Sequence, residues 1–241
     1  MAITTTTSKP IYRAAVLVFP GADILDYAGP AEILSHAIYN RNPEHPESIF
    51  SVETIARTKD VPVTTGKGSL RVVPTLTIAE ALEQLDDFHL LIVPGGPPPV
   101  MMGLITGDGG ESEEVGFIRK FAEIQPSAGS HERVLSSTCV GAFLLGAAGL
   151  LGGLKVTTHH MSFNALRAIC AKYNPRGSEE TQVVEGQRYV DAGKVEGGLR
   201  IVTSGGISSG LDSTLYLVEL FSNRETAEFI TKVMEYQRRQ G

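Results

Sequence analysis

The sequence has no tryptophan, only two cysteines and no excess of basic charge. Each shortage excludes something. Cys139 and Cys170 are too few for a disulfide framework, so a reducing, cytoplasmic compartment is expected. Lys plus Arg number 21 against 27 Asp plus Glu, a formal charge of −6. That balance leaves no electrostatic footprint for nucleic acid and no polybasic stretch for an anionic membrane. The opening MAITTTTSKP lacks the apolar run of a secretory signal, and no Arg precedes Arg13, so a presequence is not expected either. No CxxC, HxH or HExxH spacing occurs, and no metal is expected. The uncharged run from Val134 to Leu154 is long enough on paper to cross a bilayer. It is broken by Gly141, Gly146, Gly149, Gly152 and Gly153, and reads instead as a buried strand feeding a buried helix.

The chain is rich in what an α/β core needs. It has 241 residues, 42% of them hydrophobic, with 26 Gly and 13 Pro. Residues 1–12 read as a flexible tail and 13–241 as one domain. The unbroken apolar run at 14–19 predicts a strand buried on both faces, 89–93 reads as another buried strand, and 49–56, 134–138, 155–159 and 199–203 read as further strands. Helical patterns fall at 31–39, 78–85, 111–123, 140–150, 162–172, 209–221 and 225–238. Hairpins are expected over 63–73 and between 181–185 and 188–191, and 97–110 reads as a loop. Strand–helix alternation predicts an α/β fold, a doubly wound, mostly parallel sheet in a flavodoxin-like three-layer sandwich. Function in such sheets sits at the carboxyl ends of the strands.

Cys139 stands at one of those ends, between the strand VLSST and the small-residue helix VGAFLLGAAGLL. That position is a nucleophile elbow, which predicts an exposed side chain and a helix N-terminus that favours the thiolate. Asp26 follows the first strand in DYAGPAEIL. With Pro30 in the first turn and Gly29 as cap, Asp26 lies ahead of the helix, free to face the cysteine and move protons. Gly95 and Gly96 end the strand HLLIV and, with Val140, are candidate backbone N–H donors for an oxyanion. The prolines after them, beginning at Pro97, would form a rigid apolar rim. His159 and His160 end another strand, and alternation lets at most one of them face Cys139. Pro97, His160, Gly206 and Ile207 are the expected substrate pocket. Cys170, in LRAICAKY, reads as core.

These residues carry a resemblance to the ThiJ/PfpI superfamily, in its isonitrile hydratase-like branch. The matching segments are FPGADILDYAGPAEIL at 19–34, LLIVPGG at 90–96, STCVGAFLLGAAGLLGGLKVTTHH at 137–160 and TSGGISSGLDSTLYLVEL at 203–220. The resemblance implies the class I glutamine-amidotransferase-like sandwich, a homodimer, a small-molecule substrate and no metal or organic cofactor. It implies Cys139 as the reactive cysteine, Asp26 as its acidic partner, His159 nearby, and Gly96 and Val140 as donors. Two positions depart from the branch. Val140 stands where isonitrile hydratases have Thr, and Pro97-Pro98-Pro99 replaces a less proline-rich loop, which together imply a drier pocket. The expected activity is that of a cofactor-independent lyase or hydratase on a small electrophile. The alternatives are an isomerase, cyclase or lyase on an apolar intermediate with Asp26 as acid/base, a glyoxalase-like activity, or a redox sensor or ligand-binding protein.

Overall fold

The computed structural model describes residues 9–107, 110–125, 132–176 and 178–239. Its central sheet is built from β1 (Tyr12–Leu17), β2 (Phe50–Ala56), β5 (Leu76–Thr77), β6 (Phe88–Val93), β7 (Arg133–Ser137), β10 (Tyr189–Lys194) and β11 (Leu199–Ser204). Two small two-stranded sheets, β3 (Val63–Thr65) with β4 (Leu70–Val72) and β8 (Lys155–Val156) with β9 (Gln182–Val183), stand outside it. The helices are α1 (Ile24–Ser35), α2 (Ile78–Leu82), α3 (Pro98–Thr106), α4 (Glu113–Glu123), α5 (Ala142–Ala147), α6 (Phe163–Tyr173), α7 (Ser209–Phe221) and α8 (Arg224–Val233). The strand order is β10-β11-β7-β6-β1-β2-β5, all pairs parallel except β10 with β11. Helices α1, α7 and α8 pack together, as do α3, α4, α5 and α6, in the flanking layers of the expected sandwich.

The apolar strands are central because both their faces are covered. Ala14 to Leu17 on β1 and Leu90 to Val93 on β6 are essentially inaccessible. Polar contacts set the element ends. Ser112 caps α4 by accepting from Val115 N–H, Asn223 caps α8 through Thr226 N–H, and Thr77 and Glu80 form a capping box on α2. Arg133 opens β7 buried, its guanidinium donating to the carbonyls of Leu85, Phe88 and Phe121 while lying over the Phe121 ring. Burial lowers its pKa to about 10, so it stays protonated and donates to carbonyls at the start of β6 and in the last turn of α4.

Several expectations are corrected. Helix α1 begins at Ile24, with Pro30 inside it, so Asp26 sits in the first helical turn rather than ahead of a cap at Gly29. Segments 181–185 and 188–191 do not form a hairpin. Gln182–Val183 pairs in parallel with β8, while β10 pairs with β11. The strand expected over 155–159 ends at Val156, and Thr157 N–H turns to Thr203 Oγ1 instead of a ladder carbonyl. The loop expected over 97–110 contains α3, whose first turn holds Pro98 and Pro99, where a missing N–H is tolerated. Of the tail expected over 1–12, residues 1–8 lie outside the described residues, and Tyr12 already opens β1. Among the described residues no helix is long and apolar enough to cross a membrane.

Candidate active site

The elbow is tied down on both sides. Thr138 N–H donates to Val93 O at 3.0 Å and Cys139 N–H to Gly205 O at 3.1 Å, fastening the turn to the ends of β6 and β11. Cys139 has φ of 57°, in the left-handed region, a placement that costs roughly 1–3 kcal/mol for a residue other than Gly. Gly141 makes the turn possible, since a Cβ there would lie 2.2 Å from Val93 O and 2.9 Å from Pro94 O. The strained turn aims Sγ at the backbone N–H groups of Val140 and Ile207. Ile207 also has a left-handed backbone, at φ of 44°.

The expectation of an exposed cysteine is corrected: Cys139 is only 4% accessible. The expected thiolate is corrected with it. Burial pushes the thiol up to about 12, the Asp26 carboxylate adds to the rise, and the N–H groups of Val140 and Ile207 only partly oppose it. The helix that follows, α5, is one and a half turns long and enters through a 3-10 turn, so its dipole is weak against desolvation.

Asp26 is fully buried and reaches the site from the first turn of α1. Its Oδ2 accepts from Gly95 N–H at 3.0 Å. Its Oδ1 has no hydrogen-bond partner among the described residues. The carboxyl and the thiol interact without a well-formed hydrogen bond, the loose geometry often seen before a substrate arrives. Burial raises Asp26 to about 7, with Gly95 N–H opposing and Asp23 adding to the rise. Between these two ionisations the Asp26–Cys139 pair holds one proton. Gly95 is therefore corrected as a donor to substrate: its N–H is engaged by Asp26. Val140 N–H faces the sulfur, and Gly96 N–H makes no hydrogen bond among the described residues.

His159 does not end a strand. It caps a 3-10 turn, His160–Ser162, and its Nδ1 accepts from Met161 N–H at 3.3 Å, which places the proton of the neutral ring on Nε2. The alternation argument for the two histidines is thereby corrected: off a strand, their rings lie against each other at a tilt of 36°, centroids 4.4 Å apart. Burial lowers the His159 pKa, His160 lowers it further, and Asp23 pulls the other way. The His159 ring fills the space a side chain at Gly206 would need, with Cδ2 only 2.3 Å from a Cβ built there.

A cavity of about 340 Å³ lies against this ring, lined by His159, His160, Phe163, Arg188, Ile207 and Ser208 among others, without Cys139 or Asp26 in its wall. Gly206 also lines it, but Pro97 does not, and instead caps α3. The cavity wall is largely polar, and neither Val140 nor the prolines belong to it. Arg188 is fixed by the fully buried Asp212, to which its Nε donates at 2.7 Å, and Asp212 also accepts from Tyr236 OH and Arg239 N–H.

Two site residues escape the sequence reading. Arg188 was hidden in the hairpin expected there. Asp23, three residues before Asp26, was hidden by the late helix start. One oxygen of Asp23, one of Asp26 and Cys139 Sγ lie within 4.8 Å of one another. This is the gathering of metal-ligating residue types found among the described residues. N–H groups already point at the sulfur and at Asp26 Oδ2, engaging lone pairs that a cation would need.

Sheet order and elbow together place the chain among flavodoxin-like α/β sandwiches that carry a cysteine at a strand-to-helix turn. It belongs to the DJ-1/PfpI family, whose profile matches residues 12–220. A relative, the isonitrile hydratase of Pseudomonas putida, is 30% identical over 224 residues, covering 91% of this chain and 76% of that protein. The crystal structure of a ThiJ/PfpI family protein from Pseudomonas syringae matches with a TM-score of 0.70 at 24% identity, over 98% of this chain and 79% of that one. Drosophila melanogaster DJ-1beta matches with a TM-score of 0.67 at 16% identity, over 95% and 100%. The last two likenesses concern the fold.

Proposed function

We propose that the chain is a cofactor-independent hydratase for a small isonitrile-type electrophile, converting R–N≡C and water to the formamide R–NH–CHO. The observation that carries this reading is the buried Asp26 carboxyl gathered with the Cys139 sulfur, within 4.8 Å, at a strained elbow. The identity to the isonitrile hydratase of Pseudomonas putida supports the substrate class.

In the first half, the Cys139 sulfur bonds to the terminal isonitrile carbon, and the thiol proton passes through Asp26 to that same carbon. The product is the thioimidate R–N=CH–S–Cys139. In the second half, water adds to the carbon and the carbon–sulfur bond breaks. One proton of the water reaches nitrogen and the other returns to sulfur, releasing R–NH–CHO. The N–H groups of Val140 and Ile207 steady the sulfur as charge develops on it. Gly96 N–H is the donor left to serve the oxygen that water brings. The R group would occupy the cavity beside His159, with Arg188 and Ser208 at its polar wall. Family membership supports a homodimer in the cytoplasm, and gel filtration of the purified protein tests the dimer.

The raised thiol favours a second reading. With the sulfur protonated, Asp26 alone is poised for acid/base work near neutrality, as an isomerase or lyase would need. The same raised thiol counts against redox sensing, which proceeds through the thiolate. The two enzyme readings separate on a panel of alkyl and aryl isonitriles assayed for formamide. Hydration requires both Cys139→Ala and Asp26→Asn to abolish turnover. Retained turnover in Cys139→Ala would shift the chemistry to Asp26.

A further inference from the structure

We propose that Asp23 is a proton-relay residue of this site, passing protons between buried Asp26 and solvent. Asp23 occupies the N-cap of α1, where an Asp side chain ordinarily accepts from an N–H of the first turn. Here it makes no such bond, nor a hydrogen bond with any other described residue. Its backbone is clamped, with N–H donating to Gly95 O at 2.9 Å, and its carboxylate turns to the cluster with Asp26 and Cys139 instead. Asp26 is fully buried with Oδ1 unpartnered, whereas Asp23 is only half-buried. Asp23 is thus the carboxyl that has one side on the cluster and one on water.

The groups facing Asp23 come from four elements. They are Asp26 on its own helix, Cys139 at the elbow, His159 ahead of α6, and Lys67 on the turn after β3. Burial disfavours its charge, while His159 and Lys67 favour it, and its own charge in turn raises Asp26. The turn carrying Lys67 is held against the same loop, Gly66 N–H donating to Ala22 O. A carboxyl balanced in this way can both take and give a proton.

This role rests on the reading of Asp26 as the proton carrier. The second half of hydration moves two protons out of one water, one to nitrogen and one to sulfur. A single buried carboxyl moves one at a time; Asp23 lets one proton of the water leave to solvent while another returns from solvent through it, so that Asp26 is reset between the two transfers with no net proton gained or lost.

The test measures two things on wild type, Asp23→Asn and Asp23→Ser. The first is the rate at which iodoacetamide alkylates Cys139, read by mass spectrometry of its peptide from pH 5 to 10. It needs no substrate. The wild-type profile should show an inflection near the Asp26 ionisation, moved to lower pH by roughly one unit when the like charge of Asp23 is removed. The second is isonitrile turnover, expected to fall about a hundredfold with a thioimidate adduct building up on Cys139, and to recover with acetate in Asp23→Ser. A profile that overlays wild type overturns the proposal whatever the turnover, because Asp23 is then not coupled to the pair. A shifted profile with unchanged turnover overturns it too. A shifted profile in a protein that hydrates no isonitrile leaves the relay standing and overturns the hydration reading instead.

Discussion

Replacing Asp26 by Asn should abolish activity and yet stabilise the fold above neutral pH. Asp26 lies at about 7 in the folded chain, against 3.8 for an ordinary carboxyl. Below both values the group is protonated folded or unfolded, and nothing is lost. Between them the folded state holds the extra proton, so stability falls as pH rises. Above about 7 the buried charge exerts its full destabilisation. At about 1.4 kcal/mol per pH unit, the ceiling on that destabilisation is about 4 kcal/mol. Asn keeps an acceptor for Gly95 N–H but a weaker one, which returns about 1 kcal/mol. Urea unfolding should therefore find Asp26→Asn about 1 kcal/mol more stable than wild type at pH 5 and about 3 kcal/mol more stable at pH 8. The slopes should match, so that midpoints report stability. A variant less stable than wild type at pH 8, or a difference independent of pH, would refute the claim that burial holds this carboxyl near neutrality.

Other expectations follow from single contacts. Cys139→Gly should be more stable than Cys139→Ala by about 1 kcal/mol, since both lose the thiol and only Gly relaxes the left-handed backbone; equal stabilities would remove the strain argument. Gly141→Ala should lower stability by at least about 2 kcal/mol, or yield insoluble protein, because its Cβ meets Val93 O with nowhere to move; a soluble variant with wild-type midpoint would contradict the geometry of the turn. Arg188→Ala leaves Asp212 buried beside only Tyr236 and Arg239 N–H, and should lose about 3 kcal/mol in thermal or urea unfolding. A loss within about 0.5 kcal/mol would mean the pair is solvated in solution.

Much of this was legible in the sequence because the signals were local. Runs such as AAVLVF and HLLIV announce strands covered on both sides, and STCVGA announces a turn where the backbone must reverse sharply. Cys139 and Asp26 were found that way, the one just past β7 and the other after β1, in the first turn of α1. The errors arose where tertiary packing overrode a local rule. Pro30 reads as a first-turn proline, yet α1 starts six residues earlier and carries Pro30 in its interior, where Gly29 lets Leu211 approach. That one shift concealed Asp23. The runs at 181–191 alternate like a hairpin, but β11 takes the second as its neighbour and β8 the first. The state of the thiol was the least legible feature. It depends on how far Cys139 is from water and how close Asp26 is, and neither is a property of sequence spacing.

The most direct measurement of the central claim is the intact mass of the protein, quenched with acid while it turns over an isonitrile. A species heavier than the free chain by the mass of one isonitrile should appear, mapped to Cys139, absent from Cys139→Ala, and decaying as formamide forms. Formamide produced at full rate with no adduct on Cys139, or in Cys139→Ala, would contradict that claim.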